Sequence, residues 1–184
     1  MGRFTTAPGV IVALPQLEDS NFHRSVVVMI EHDEEGAVGL VINNETKHRC
    51  VDVIKGFGLG WSGSTSLMLG RGGPVEPNGL WILHGDGWFF EETMKVSDGV
   101  AVSRSKDALT RMCEADEESL CLFIGYAGWG AGQLEDEIAH GAWLTAPFQP
   151  EMIFDWPRDE VWERTLNILG VNPAFLVSGG GLVQ

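Results

Sequence analysis

Three apolar runs near the start of the chain set its pattern. Residues 10–14 read as a strand stopped by Pro15. Residues 25–30 and 37–42 are two further runs, joined by the acidic-glycine turn Asp33-Glu34-Glu35-Gly36, and this spacing predicts a hairpin. Both of these runs are nearly continuous rather than alternating, which predicts strands covered on both faces. Further short strands are expected at residues 67–69, 80–83, 120–124 and 142–145.

Helical spacing comes later in the chain. Residues 103–115 place Leu109, Met112 and Cys113 on one side, with Ser103 or Ser105 available as a cap. The clearest helix is expected over residues 157–169, with Pro157 in its first turn, a stripe of Val161, Thr165, Ile168 and Leu169, and Gly170 to end it. The run 120–124 leads into Gly125-Tyr126-Ala127-Gly128-Trp129-Gly130-Ala131-Gly132 and then into a pattern with Leu134 and Ile138 four apart. Strand, glycine turn and helix is the expectation here. That geometry can aim backbone N–H groups at a ligand, or simply let a turn pack closely around large rings. Short strands, hairpin connections and a few late helices predict an α+β fold with a mostly antiparallel sheet.

At 184 residues, one domain spanning 1–184 is the simplest organisation. The formal net charge of −14 changes the functional picture more than the length does. Duplex binding draws much of its free energy from phosphate neutralisation by Lys and Arg. The chain has 12 such residues dispersed among 26 acids, so direct nucleic-acid binding is not expected. Cys50, Cys113 and Cys121 are far apart, with no C-x-x-C, which fits a reducing cytoplasm rather than a disulfide framework. No secretory signal pattern and no run of about 18 apolar residues is present, so neither export nor a membrane span is expected.

Gly58-Leu59-Gly60-Trp61-Ser62-Gly63 matches G-x-G-x-x-G, but a strand-like segment follows it where the dinucleotide fingerprint needs a helix. Walker A, H-E-x-x-H and G-x-S-x-G patterns are lacking, and no cofactor or metal is expected. The cluster Asp19-Ser20-Asn21-Phe22-His23-Arg24 precedes a buried strand, where a loop can present side chains on a rigid base. Arg24 would hold an anion through its planar fork. The simpler reading is a turn made by Asp19 or Asn21, with Arg24 neutralising a nearby acid. Glu31 and His32 are adjacent on a strand and point to opposite faces, which argues for a solvated carboxylate and a turn histidine. His84 reads as a strand-end residue. Glu135, Asp136 and Glu137 suit the positive end of a helix dipole. Gly72-Gly73-Pro74-Val75 reads as a tight turn.

Taken together these motifs resemble the AlgH/YqgE family of bacterial proteins. The carrying residues are Leu14-Pro15, then Glu18-Asp19-x-Asn21-Phe22-x-Arg24-Ser25-Val26-Val27. Glu31-His32-x-x-Glu35-Gly36-Ala37-x-Gly39-Leu40-Val41-Ile42-Asn43 follows, and later Gly72-Gly73-Pro74-Val75, Leu83-His84, the 125–138 stretch, Trp143-Leu144 and Phe154-Asp155. The resemblance implies a cytosolic α+β protein whose strands curl toward a barrel, flanked by helices. It also implies a role described as transcriptional regulation, with no established activity and no catalytic set to carry over. Two departures stand out: Asn44-Glu45 where the family usually has Arg-Pro, and Ala131 in place of a Pro. The first weakens any anion site near Asn43, and the second loosens the turn.

Two functional expectations follow. The first is a non-enzymatic regulatory or adaptor protein that binds a protein or small-molecule partner, with Tyr126 and Trp129 as anchors. The second is an enzyme acting on a small anionic substrate, with a cleft between the 19–24 loop and the 125–132 turn. There Arg24 would orient the substrate, and Glu31, His32 or Glu135 would supply acid or base. The candidate binding residues are Asp19, Asn21, Arg24, Asn43, Tyr126, Trp129, Gln133 and Glu135.

Overall fold

A computed structural model describes residues 4–17, 19–115 and 119–177. Glu18 of the polar cluster lies outside them. In chain order the elements are β1 (Gly9–Ala13), β2 (Val26–Asp33), β3 (Gly36–Val41), β4 (Glu45–Arg49), α1 (Cys50–Gly56), β5 (Met68–Arg71), β6 (Val75–His84), β7 (Met94–Ser97) and β8 (Val100–Ser103). Then come α2 (Lys106–Glu114), β9 (Leu120–Gly130), α3 (Gln133–Ala139), β10 (Trp143–Ala146), α4 (Glu151–Phe154), α5 (Val161–Ile168) and α6 (Pro173–Val177).

The ten strands form one sheet whose main path runs β10-β1-β2-β3-β9-β6-β8-β7, with β4 pairing β5 and β5 pairing β9. Every pairing is antiparallel except β5 with β9. The fold is α+β, as the pattern predicts. The resemblance implies strands that curl toward a barrel; the sheet is not closed into one. β10 and β7 end the path without meeting, so the sheet stays open.

The continuous apolar runs do lie covered on both faces. Val10 and Val12 of β1 and Val26 and Val28 of β2 join a cluster roofed by Met152, Ile153, Val161, Trp162 and Leu166. Their neighbours Ile11, Ala13, Val27 and Met29 face the other way, against Trp129, Leu134 and Trp143. A third cluster packs α1 and α2 onto β5, β6 and β9 through Cys50, Ile54, Ala108 and Met112. Burying strands on both sides removes the polar alternation that usually marks a sheet.

The hairpin forms as predicted, with Asp33 paired to Gly36 across Glu34-Glu35. Ser105 caps α2, its hydroxyl accepting from the Ala108 N–H at 3.1 Å. The helix expected over 157–169 opens instead as a 3-10 turn, Arg158–Glu160, before α5. The glycine stretch needs the larger correction. Residues 125–130 are not a turn but the second half of the 11-residue strand β9. Only Ala131-Gly132 turns, with Gly132 at φ 74, before α3 begins.

A backbone crossing explains the glycines. Phe123 of β9 pairs with Gly70 of β5 on one edge and with Trp81 of β6 on the other. The chain must therefore pass over β9 between β5 and β6, and it does so through Gly72 and Gly73. The Gly72 N–H donates to the Ile124 carbonyl at 2.8 Å, while the Val41 N–H donates to the Gly72 carbonyl at 2.9 Å. Gly125, at φ 71, makes room from below.

Candidate functional site

The eight candidate residues separate into three places. In the first, Asp19 and Asn21 build a local turn. The Asp19 carboxylate accepts from the Asn21 N–H at 2.9 Å and from its side-chain amide at 3.0 Å. Asn43 pins this loop to β2. Its carbonyl accepts from the Val26 N–H at 2.9 Å, and its amide donates to the Arg24 carbonyl at 2.8 Å. Arg24 sits at φ 51, with its guanidinium 4.9 Å over the Trp162 ring. The turn reading of Asp19 is therefore correct. Among the described residues Arg24 has no ion pair, and its guanidinium stacks on an indole instead.

The second place is where β9 runs into α3. The Trp129 and Trp143 indoles both donate to one Glu137 oxygen, at 3.0 and 2.8 Å. Gln133 donates to the other oxygen at 3.1 Å and accepts from the Gly130 N–H at 3.0 Å. Phe22 from the 19–24 loop closes the group, stacked on Trp129 at 6.0 Å and edge-on to Trp143 at 5.5 Å. The cleft expected between that loop and the 125–132 segment is thus filled by aromatic rings. Trp129 is 6 % exposed and belongs to the core, not to an anchoring surface.

Glu135 lies beside this group and meets His32 at 3.0 Å. The Thr6 N–H, which can only donate, points at His32 Nδ1 at 3.0 Å. The ring proton therefore resides on Nε2 and is donated to Glu135. The His32 side chain is 1 % exposed, so the expected turn histidine is instead a buried latch between the N-terminal segment, β2 and α3. His84 closes β6 as expected; it is buried, and its Nε2 lies 2.8 Å from the Ser103 hydroxyl.

Tyr126 occupies the third place, on the opposite face of β9 from Trp129. It meets Trp81 edge-on at 5.6 Å and lines a cavity of about 310 Å³ with Glu31, Val38 and Arg104. Arg104 lies 4.2 Å over Trp81 and pairs with Glu76 at 2.9 Å.

A larger cavity, about 490 Å³, opens where β4, the 61–68 segment, the start of β9 and the 153–158 segment meet. Trp61, Phe154 and Trp156 give it aromatic walls, Ser62, Ser64 and Ser66 give it hydroxyls, and Cys121 and Arg158 lie in its lining. The Arg158 side chain is only 12 % exposed. Its guanidinium lies 5.2 Å over the Phe123 ring. Neither terminal nitrogen has a hydrogen-bond partner among the described residues. The nearest carboxylate among the described residues, Glu45, stands 3.8 Å away, an ion-pair distance but too long for a hydrogen bond. Cys121 beside it is a poor nucleophile: burial pushes its thiol up to about 11, against the opposing pull of the Arg158 cation.

The sequence reading did not single out Arg158. Its only trace is a lone cation after Phe154-Asp155-Trp156-Pro157 in a strongly acidic chain. Clusters of three or more His, Cys, Asp or Glu placed to hold a metal are absent among the described residues.

The architecture defines a class: an open, mostly antiparallel ten-stranded α+β protein with a glycine crossover and an arginine set in an aromatic cavity. The chain belongs to the AlgH-like family, whose family model matches residues 10–174. A UPF0301 protein of Myxococcus xanthus is 41% identical over 177 residues, covering 96% of this chain and 97% of its own. A UPF0301 protein of Vibrio cholerae is 37% identical, covering 93% and 95%. The solution structure of the AlgH protein from Pseudomonas aeruginosa superposes with a TM-score of 0.78 at 32% identity over the full length of both chains. A Corynebacterium diphtheriae crystal structure, 24% identical with a TM-score of 0.74 over 91% of this chain and 90% of its own, shares the fold.

Proposed function

We propose that this protein acts by recognition: a cytoplasmic regulatory or adaptor protein that holds a small molecule or a protein partner and touches transcription only indirectly. The supporting observation is the cavity of about 490 Å³ with three aromatic walls. Small-molecule sites are concave, mostly apolar and about this size, with a few polar groups to fix orientation. The net charge of −14 supports a route to transcription that avoids direct duplex contact. Phe22 of the 19–24 loop packs on Trp129 and Trp143, which favours the larger cavity as the ligand site.

The test is to purify the protein from its own host without denaturation and extract it for mass spectrometry. Alongside it, a metabolite library is screened by thermal shift. The expected result is a stoichiometric small molecule, or a library compound whose stabilisation is lost when Ser64→Trp fills the cavity mouth. An empty protein that also ignores the whole library would defeat the reading. So would turnover of a substrate that Ser64→Trp leaves untouched.

A further inference from the structure

We propose that the Arg158 cavity is an anion site: it takes a flat aromatic small molecule bearing a carboxylate or phosphate, and Glu45 is the internal anion that this ligand displaces. The assignment rests on the recognition reading above and names the ligand class for that cavity.

A guanidinium has five N–H donors in a fixed fork and no acceptor. Burying one unpaired is costly, because the charge loses water without gaining a partner. Arg158 is 12 % exposed, and neither terminal nitrogen has a hydrogen-bond partner among the described residues. In a chain where acids outnumber bases 26 to 12, an arginine left short of a carboxylate stands out. Its neighbours on the floor are the Phe123 ring and the neutral Cys121 thiol, whose sulfur is a weak acceptor and brings no negative charge to the fork. The burial of Arg158 itself reduces solvent screening at the fork, which strengthens whatever anion does arrive.

Among the described residues Glu45 is the one carboxylate lining this cavity, and it is poorly placed to finish the pairing. At 3.8 Å it attracts the charge without accepting a proton, and its side chain is 43 % exposed at the first residue of β4. It can therefore swing away. A planar carboxylate or phosphate entering the cavity would reach the fork bidentately, the geometry Arg favours over any point contact. Trp61 and Trp156 suit a flat body behind the anionic head, since indoles prefer offset or edge stacking on other rings. The Ser62, Ser64 and Ser66 hydroxyls serve as donors to further ligand oxygens.

The experiment uses calorimetric titration of the full chain with benzoate and adenosine monophosphate. Benzamide and adenosine serve as neutral counterparts, and inorganic phosphate and acetate as bare heads. The expected order is aromatic anion tighter than bare anion, with neutral counterparts at least about tenfold weaker. Preference for benzoate or for adenosine monophosphate separates a carboxylate from a phosphate ligand. Arg158→Gln should weaken the anions at least tenfold, Arg158→Lys less so because the point charge survives, and Glu45→Gln should tighten them roughly threefold or more. Circular dichroism of each variant confirms folding. If Arg158→Gln misfolds, the opposite effect of Glu45→Gln decides alone. Anions bound no better than their neutral counterparts, or unchanged in Glu45→Gln, overturn the anion site. A neutral ligand extracted from the host would overturn it too while leaving the recognition reading standing.

Discussion

The Gly73 backbone occupies the side-chain space of Gly125, and the Tyr126 backbone occupies that of Gly73. A methyl on Gly125 would lie 2.2 Å from the Gly73 carbonyl oxygen, and one on Gly73 would lie 2.2 Å from the Tyr126 carbonyl carbon. The two positions are also at φ 155 and φ 71, where an L side chain is strained before any contact is counted. These glycines let one strand segment cross the backbone of another at contact distance. That requirement, and not a phosphate, accounts for them.

Gly125→Ala should therefore cost at least about 3 kcal/mol of unfolding free energy, combining a left-handed penalty of roughly 1–2 kcal/mol with displacement of backbone. Gly132→Ala is the control. It has φ 74 but no atom within 4 Å of the added methyl, so only the backbone penalty applies. Urea denaturation of the two variants checks this. Equal losses would mean that the crossing is looser than described.

Glu137 is the acceptor that two indoles share, so its removal should hurt more than its position on a helix suggests. Glu137→Ala strands the Trp129 and Trp143 N–H groups, at roughly 1–3 kcal/mol for each one left unsatisfied. Trp129→Phe keeps a ring against Phe22 and gives up one hydrogen bond, a loss of about 1 kcal/mol beyond packing. Trp129→Ala should cost about 3–5 kcal/mol as a core truncation. Guanidinium melts distinguish these. A Trp129→Ala protein of unchanged stability would return Trp129 to the list of surface anchors.

Much of the fold was legible because buried strands are written as apolar runs. Residues 10–14, 25–30 and 37–42 announced β1, β2 and β3 directly. The strand β4, Glu-Thr-Lys-His-Arg, was not legible: only Thr46 is buried, so its composition reads as loop. The β7–β8 hairpin was legible and overlooked, since Asp98-Gly99 between Val96 and Val100 is a hairpin signal. The candidate site was read less well. Adjacent residues could be judged locally, which is why the Asp19 turn was right. His32 with Glu135 and Phe22 with Trp129 meet only through the sheet order, which no local pattern encodes. Arg158 was invisible for the same reason. Its meaning lies in what fails to pair with it, and that exists only once the chain is folded.

The His32 latch makes a local prediction. Thr6 N–H is held by Nδ1 and the other ring nitrogen by Glu135, so His32→Phe removes both bonds while keeping an aromatic ring beneath Phe4, which meets His32 edge-on at 6.1 Å. Amide exchange at Thr6 should accelerate at least about tenfold, with core amides of β2 such as Val28 little changed. Glu135→Gln retains an acceptor and should leave Thr6 nearly protected. Exchange measured residue by residue by NMR decides it, and an unaltered Thr6 rate in His32→Phe would show that the N-terminal segment is held by other contacts.

The three buried cysteines favour the folded state less as the solution becomes alkaline. Burial raises the Cys50 thiol to about 12 and the Cys113 and Cys121 thiols to about 11, from an ordinary value of 9.0, with Arg158 opposing the rise at Cys50 and Cys121. An acid held neutral in the fold binds its proton in the native state at a pH where the unfolded chain has released it. Stability therefore has a negative slope in pH from about 9 up to about 11 for Cys113 and Cys121 and about 12 for Cys50, and none from these groups below about 8. Melting temperature should be flat from pH 7 to 8 with respect to the thiols, then fall through that window. Replacing all three with alanine should shallow the fall, at some cost in packing. At pH 8 the native protein should react slowly with a thiol-specific disulfide reagent, and rapidly once denatured. Fast reaction of the folded chain would mean that at least one thiol reaches solvent as a thiolate, and the alkaline window assigned to it would be wrong.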